Sequence, residues 1–139
     1  MLYDPSNIFA KILRGEIPAE KIFEDADTFA FMDIMPRADG HCLVIPKQPA
    51  VNILDITPES LAAVSRTVQR VARAAMTALK AEGIKLEQYN EAPAGQEVFH
   101  LHVHILPCWT GVKIRSPGIM GDKAVIAAHA EKLRAALKT

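Results

Sequence analysis

The segment His100-Leu101-His102-Val103-His104-Ile105-Leu106 constrains the fold of this chain more than any other. Because successive side chains of a β-strand point to opposite faces of the sheet, its alternation predicts a strand with all three histidines on one face. The apolar side chains then line the other face, where they can pack against a helix. Each imidazole carries a donor or an acceptor that needs a partner, so three of them are costly in a dry core. The histidine face is therefore predicted to be a site or a wet surface.

The rest of the chain alternates short apolar runs with turn residues and contains one long amphipathic segment. In residues 58–82 apolar side chains recur at steps of three and four, with Thr57 as the N-cap and Pro58 at the first helical position. Asp122 is predicted to cap a final amphipathic helix that reaches about Leu137. Strands joined by turns, with one long crossover, predict an α+β fold with an antiparallel sheet whose second face is open for a ligand. The other predicted elements are a helix at 8–14 and strands at 21–24, 28–33, 41–45, 84–90 and 98–106.

Composition and charge exclude several classes of protein. A length of 139 residues suits a single domain. The 16 basic and 16 acidic residues cancel, so the chain lacks the net positive charge of a broad nucleic-acid-binding surface. Cys42 and Cys108 give neither a metal-binding spacing nor a disulfide framework, which favours a reducing compartment. No apolar run approaches the ~18 residues of a membrane span, and the first residues lack the features of a signal peptide. We expect a cytoplasmic protein whose partners include neither nucleic acid nor a membrane.

The histidine row admits more than one chemical interpretation, and a simple polar face is the least specific of them. One metal ion can bridge His100 with His102, or His102 with His104, but the outer two lie about 13 Å apart along a strand. A metal site therefore needs ligands from elsewhere, such as His41. The alternative is nucleophilic catalysis, because neutral imidazole is a nucleophile and neighbouring rings discourage its protonation. His102 is flanked on both sides and is then the natural nucleophile toward phosphorus, with the outer rings donating to phosphate oxygens.

This pattern resembles the signature of the histidine-triad (HIT) nucleotide hydrolases and transferases. The resemblance covers about Ile8 to Pro107 of a single domain at 1–139, and it leaves 108–139 as a C-terminal tail. The third histidine, His104, is similar to the hydrolase branches, whereas the uridylyltransferase-like branch usually has Gln there. The blocks that carry the resemblance are, in order, Ile8-Phe9, Ile17-Pro18-Ala19, Phe29 to Ile34, Gly40 to Lys47, Asn90, and Gly95-Gln96-Glu97-Val98 before the triad.

The resemblance implies a role for each matched position. His102 is implied to be the nucleophile that takes a nucleoside monophosphate. His100 is its implied orienting neighbour and is linked to His41, while His104 is a donor to phosphate oxygens. Asp33 is implied to accept hydrogen bonds from the ribose hydroxyls. The other implied nucleotide-binding residues are Ile34 beside the ribose, Asn90 near the phosphate, Gly95, Gln96 and Glu97 in the loop over the phosphate and leaving group, and Phe9 and Ile17 around the base.

The family also implies an architecture and an activity. Each subunit has a five-stranded antiparallel sheet with one long helix and a C-terminal helix, and two subunits join through the long helix and strand 84–90 into a continuous sheet. The implied substrate is a purine nucleoside phosphoramidate or a dinucleoside polyphosphate, cleaved to a nucleoside monophosphate through a nucleotidyl-histidine without any cofactor. A nucleotide-binding regulator with little turnover and a His-ligated metalloprotein are the alternatives.

This chain departs from the family pattern at several positions. Glu97 stands where many members have a hydroxyl residue that is assigned to protonating the leaving group, so the leaving-group preference stays open. Some members bind zinc through a Cys-x-x-Cys pair near the start. Here Asn7 and Ala10 occupy those places, so that zinc site is absent and no metal is expected.

Overall fold

Residues 2–138 are described by a computed structural model, and their five strands form one antiparallel sheet. Three α-helices and one 3₁₀ turn complete the secondary structure of these residues. The strands are β1 (Lys21–Glu24), β2 (Thr28–Met32), β3 (Cys42–Pro46), β4 (Gly83–Glu87) and β5 (Val103–Cys108). The helices are α1 (Ile8–Leu13), α2 (Pro58–Ala78) and α3 (Lys123–Leu137), and the 3₁₀ turn is Ala92–Ala94.

The strand order in the sheet is β1-β2-β3-β5-β4. The turn between β1 and β2 is held by Asp25, whose Oδ1 accepts the backbone N–H groups of Asp27 at 2.9 Å and Thr28 at 2.7 Å. After β3 the chain crosses over through α2 to the edge strand β4, and β5 then inserts between β3 and β4. The predicted α+β class and the five-stranded antiparallel sheet are confirmed.

Both long helices begin where the sequence predicts. Thr57 Oγ1 accepts the backbone N–H of Ser60 at 3.2 Å, and Asp122 Oδ1 accepts that of Ala124 at 2.9 Å. The first of these helices ends at Ala78 and not at 82, because Lys80 has a φ of 53°, which no α-helix accommodates. Among residues 2–138, no helix is both long and apolar enough to cross a lipid bilayer.

The two faces of the sheet differ in what covers them. On one face, Val44 of β3 and Ile105 of β5 belong to the main apolar core together with Val64 of α2. His104 lies directly opposite Leu43 in the β3–β5 register, so both side chains point to the other face. That second face carries α1 and a smaller apolar cluster, which consists of Phe9, Phe31, Leu43 and Ile45.

The strand that carries the histidines begins later than predicted. It was expected over 98–106, but β5 spans Val103–Cys108 and residues 98–102 lie outside any strand. Their polar groups bond elsewhere: the Leu101 N–H donates to the Ala50 carbonyl at 2.9 Å, and the Val98 carbonyl accepts from Gln96 Nε2 at 3.1 Å. Only the third histidine of the row therefore sits within the sheet.

Candidate active site

His102 is held with one ring nitrogen bonded and the other free. Its Nδ1 lies 2.7 Å from the carbonyl oxygen of His100, which can only accept, so Nδ1 carries the proton. Nε2 then holds the lone pair. It has no hydrogen-bond partner among residues 2–138, although only 8% of the residue is exposed. The edge of the ring packs against Phe9 at 4.9 Å between centroids, which restricts its rotation.

His104 and His41 form a directed pair. The backbone N–H of Arg37 donates to His41 Nδ1 at 3.0 Å, which puts the proton of the neutral His41 ring on Nε2. That Nε2 lies 2.9 Å from His104 Nδ1, which must accept, so the proton of His104 is on its own Nε2. His104 therefore carries an N–H group on Nε2, and the centroid of its ring is 5.0 Å from that of His102.

His100 occupies a closed niche and does not line an open face with the other two. Its side chain is fully buried, its Nε2 donates to the Pro46 carbonyl at 2.8 Å, and its Nδ1 accepts from the Tyr3 hydroxyl at 2.6 Å. The link to His41 implied for this residue belongs instead to His104. The reason is position: His100 precedes β5, whereas His104 lies in it, next to the strand that follows His41.

Burial keeps these rings neutral. Desolvation is the main cause in every case, and it lowers the pKa of His41 to about 3 and those of His100 and His104 to about 4. Desolvation also lowers the pKa of His102. Near pH 7 all four imidazoles are therefore uncharged, and each offers one donor and one acceptor nitrogen.

Asp33 lies beside this pair at the end of β2. Its Oδ2 is 3.5 Å from His41 Nε2, and its Oδ1 accepts the Met35 N–H at 2.8 Å. Burial is the largest effect on this carboxyl and raises its pKa, against the backbone hydrogen bond that lowers it. The adjacent Ile34 is 56% exposed, so an apolar side chain stands open to solvent beside a half-buried carboxyl.

In the loop before the triad, the side-chain amides of Gln96 and Asn90 bond to backbone groups of the protein itself. Gln96 is buried, and its Oε1 accepts the Glu91 N–H at 2.8 Å while its Nε2 donates to the Val51 carbonyl at 2.7 Å. Asn90 Oδ1 accepts the Ile53 N–H at 2.9 Å. These two side chains therefore shape the loop, whereas Glu97 is exposed and bonded to no other described residue.

The remaining predicted contact residues differ in how close they lie to the histidines. Gly95 ends the 3₁₀ turn with a φ of 103°, a left-handed conformation that favours glycine. Phe9, which belongs to the smaller apolar cluster on the second face of the sheet, packs on His102. Ile17 is half-buried and lies outside that cluster, so the structure does not bring it to the histidines in the way it brings Phe9.

A charged cluster that the sequence did not reveal borders His104. Glu87 lies directly opposite His104 in the β4–β5 register, and its Oε1 binds Arg37 Nη1 at 2.6 Å. The same carboxylate accepts a hydrogen bond from Tyr89, whose ring packs 5.9 Å from that of His104. The Arg37 bond, reinforced by those to Tyr89 and Lys85, lowers the pKa of Glu87 to about 2. Arg37 and Glu87 are far apart in sequence, so no local pattern pointed to them.

Asp33, His41 and His104 place one potential ligand atom each within 4.8 Å of one another, which suggests a metal site. The proton positions argue against it. A neutral imidazole ligates through its unprotonated nitrogen, and in His41 that nitrogen is Nδ1, which faces the Arg37 N–H. Ligation through His41 Nε2 would move the proton to Nδ1 and set two donors against each other. The hydrogen bond between the rings accounts for the cluster without an ion.

Known proteins share this fold and sequence. The crystal structure of a HIT-like protein involved in cell-cycle regulation from Bartonella henselae, with an unknown ligand, is 46% identical with a TM-score of 0.93, and the match covers 98% of this chain and 99% of that one. A zinc-bound histidine triad family protein from Mycobacterium smegmatis is 36% identical with a TM-score of 0.86, over 96% and 94% of the two chains.

Comparison of the sequences alone leads to the same family. The Bacillus subtilis protein named Hit is 40% identical over 100 residues, which is 72% of this chain and 69% of that protein. The family described as the HIT domain matches residues 14–110, which include Asp33, His41 and the whole triad. This chain therefore belongs to the histidine-triad family, in its bacterial branch.

Proposed function

We propose that this protein is a hydrolase of nucleoside phosphates that works through a covalent nucleotidyl-His102 intermediate. The observation that carries the proposal is the unpaired lone pair on His102 Nε2, in a ring whose centroid lies 5.0 Å from that of His104. Membership in a family of nucleotide-binding hydrolases and transferases supports the substrate class. Within it we propose a purine nucleoside phosphoramidate or a dinucleoside polyphosphate as the substrate.

Two displacements at phosphorus complete the proposed reaction. His102 Nε2 attacks the α-phosphorus and forms a P–N bond, while the bond to the leaving amine or phosphate breaks. The leaving group departs with its electron pair, and an amine takes up a proton from the solvent. Water then attacks the same phosphorus, the P–N bond to His102 breaks, and the nucleoside monophosphate is released with a proton lost from the water. The His104 N–H donates to a phosphate oxygen and stabilises the charge that develops there. His100 supplies the carbonyl that sets the His102 tautomer.

The nucleotide's other parts would contact residues around this centre. Asp33 would accept from the ribose hydroxyls, with Ile34 beside it, and Phe9 would support the base along with Ile17. Gly95 and Glu97 would lie along the phosphate and leaving group, while Gln96 and Asn90 hold the loop through the internal bonds described above. No metal or other cofactor is needed for these steps, since water and the chain's own side chains and backbone supply every donor and acceptor.

A trapping experiment tests the proposal. Wild-type protein mixed with an adenosine phosphoramidate and quenched within milliseconds should carry one adenylyl group, and peptide mass spectrometry should locate it on His102. Hydrolysis without any trapped adduct, or an adduct on another residue, would contradict the mechanism. Tight monophosphate binding with no turnover of phosphoramidates, dinucleoside polyphosphates or nucleotide sugars would favour a regulator instead.

We also propose that two copies associate through α2 and β4. β4 is an edge strand, and between it and α2 lies a groove of about 600 Å³ lined mainly by apolar side chains, including Val68 and Ile84. Leu86 of this strand is 53% exposed, which is unusual for a leucine that lines a groove. A second copy would cover these side chains and continue the sheet across the edge.

Replacing Leu86 with aspartate should convert a dimer to a monomer in sedimentation equilibrium, because the interface would bury an unpaired charge. Val112→Asp is a matched control, since Val112 is 60% exposed and lies outside the groove. A wild-type protein that sediments as a monomer, or a Leu86→Asp dimer of unchanged affinity, would contradict this interface.

A further inference from the structure

The first residues of the chain reach the catalytic centre. The Tyr3 hydroxyl lies 2.6 Å from His100 Nδ1, and the two rings meet edge to face at 5.5 Å between centroids. Tyr3 lies outside residues 14–110, the part of the chain that the family pattern covers. The contact therefore belongs to a segment that the family's shared sequence does not describe.

The segment is anchored immediately after Tyr3, on the C-terminal side of this contact. The Ser6 N–H donates to Asp4 Oδ1 at 2.9 Å, and Asn7 Nδ2 donates to the Asp4 carbonyl at 2.8 Å. Arg14 Nη1 donates to the Pro5 carbonyl at 2.9 Å, which ties the segment to the end of α1. These bonds hold Tyr3 over His100 and reduce the entropy lost when the hydroxyl engages the ring.

The direction of the Tyr3 bond follows from the other nitrogen of the ring. His100 Nε2 faces the Pro46 carbonyl, so it holds the proton, and Nδ1 has to accept from the tyrosine. The His100 side chain is fully buried, and both of its ring nitrogens have a hydrogen-bond partner. The ring is therefore held in one orientation. The same residue supplies the carbonyl that binds His102 Nδ1–H at 2.7 Å.

We propose that Tyr3 is a positioning residue for catalysis, which acts on His102 through His100. Its hydroxyl fixes the His100 ring, the ring fixes the backbone carbonyl, and the carbonyl fixes the tautomer and direction of the His102 lone pair. This proposal rests on the proposed function, because it assigns His102 Nε2 as the attacking atom. Tyr3 touches no reacting atom, so its effect is on the rate of nucleotidyl transfer and not on nucleotide affinity.

Tyr3→Phe tests this, because it keeps the ring and removes only the hydroxyl. Loss of one buried hydrogen bond to the His100 ring should lower the rate of adenylyl transfer by about three- to tenfold. The KM for an adenosine phosphoramidate should stay near the wild-type value, and the midpoint of thermal unfolding should fall by only several degrees, as expected for one lost buried hydrogen bond. Leu2→Ala is the matched control, since Leu2 is the neighbouring residue and is 98% exposed. Its kinetic constants should not change.

A measurement that needs no turnover separates this proposal from the proposed function. In ¹⁵N NMR spectra, the Nδ1 resonance of His100 should shift downfield in Tyr3→Phe, because a lone pair loses its donor, while Leu2→Ala leaves it in place. An unshifted resonance would overturn the Tyr3 contact even if wild-type protein forms the adenylyl adduct. A shifted resonance with an unchanged transfer rate would overturn the positioning role. If wild-type protein forms no adduct, the proposed function fails, and the resonance still reports on the contact.

Discussion

Replacing His102 with alanine should lower turnover of an adenosine phosphoramidate by at least about 10⁴-fold, because it removes the proposed attacking atom. No other ring in the triad can substitute. Both nitrogens of His100 are bonded to Tyr3 and Pro46, and in His104 the lone-pair nitrogen accepts from His41. Nucleotide affinity, measured by calorimetry with the monophosphate, should change little. Steady-state kinetics and rapid-quench trapping on the same preparation measure both consequences.

Two further variants separate the nucleophile from general damage. His129→Ala removes an imidazole from α3, which packs on the opposite face of the sheet, so its kinetics should match the wild type. His102→Gly opens a space in which free imidazole can act as the nucleophile, so added imidazole should restore part of the turnover. A His102→Ala protein that keeps more than about a tenth of wild-type turnover would falsify the covalent mechanism.

The fold could be predicted from the sequence because periodicity reports directly on which faces are buried. The repeat in α2 and the caps Thr57 and Asp122 gave helices that begin where expected, and the alternation after Leu101 put Val103 and Ile105 on the helix-covered face. The predicted strand bounds were wrong at residues 98–102, where backbone groups bond to side chains and loops and not to a neighbouring strand. Gln96 binds the Val98 carbonyl, and no periodicity encodes such a bond.

The hydrogen bonds within the site could not be predicted, because they join residues that are distant in sequence. His41 and His104 are 63 positions apart, and Tyr3 and His100 are 97 apart. Which ring His41 binds depends on the strand register, and which nitrogen carries its proton depends on the Arg37 N–H in the turn before β3. The resemblance linked His41 to His100, whereas in the structure His41 bonds to His104.

The buried imidazoles also predict that this protein loses stability well above the pH at which carboxylates titrate. A histidine with a lowered pKa in the folded state takes up its proton more readily when the chain is unfolded, so the unfolded state gains protons first as pH falls. For His41, His100 and His104 the window runs from the ordinary value of 6.5 down to about 3 or 4. Glu87, with its pKa lowered to about 2, adds to the loss only below its ordinary value of 4.5.

Between pH 7 and pH 5, each of these three rings should cost roughly 2 kcal/mol, so the free energy of unfolding should fall by about 6 kcal/mol. Urea titrations followed by the fluorescence of Trp109, whose indole N–H binds the Lys80 carbonyl at 2.9 Å, measure this difference. His104→Gln removes one titrating ring and keeps an amide there, so its loss over the same range should be smaller by roughly 2 kcal/mol. Unfolding free energies that agree within about 1 kcal/mol at the two pH values would mean that the folded rings are protonated by pH 5. An imidazolium has no lone pair to attack phosphorus or to accept from His41, so the same titration tests the charge state on which the proposed chemistry depends.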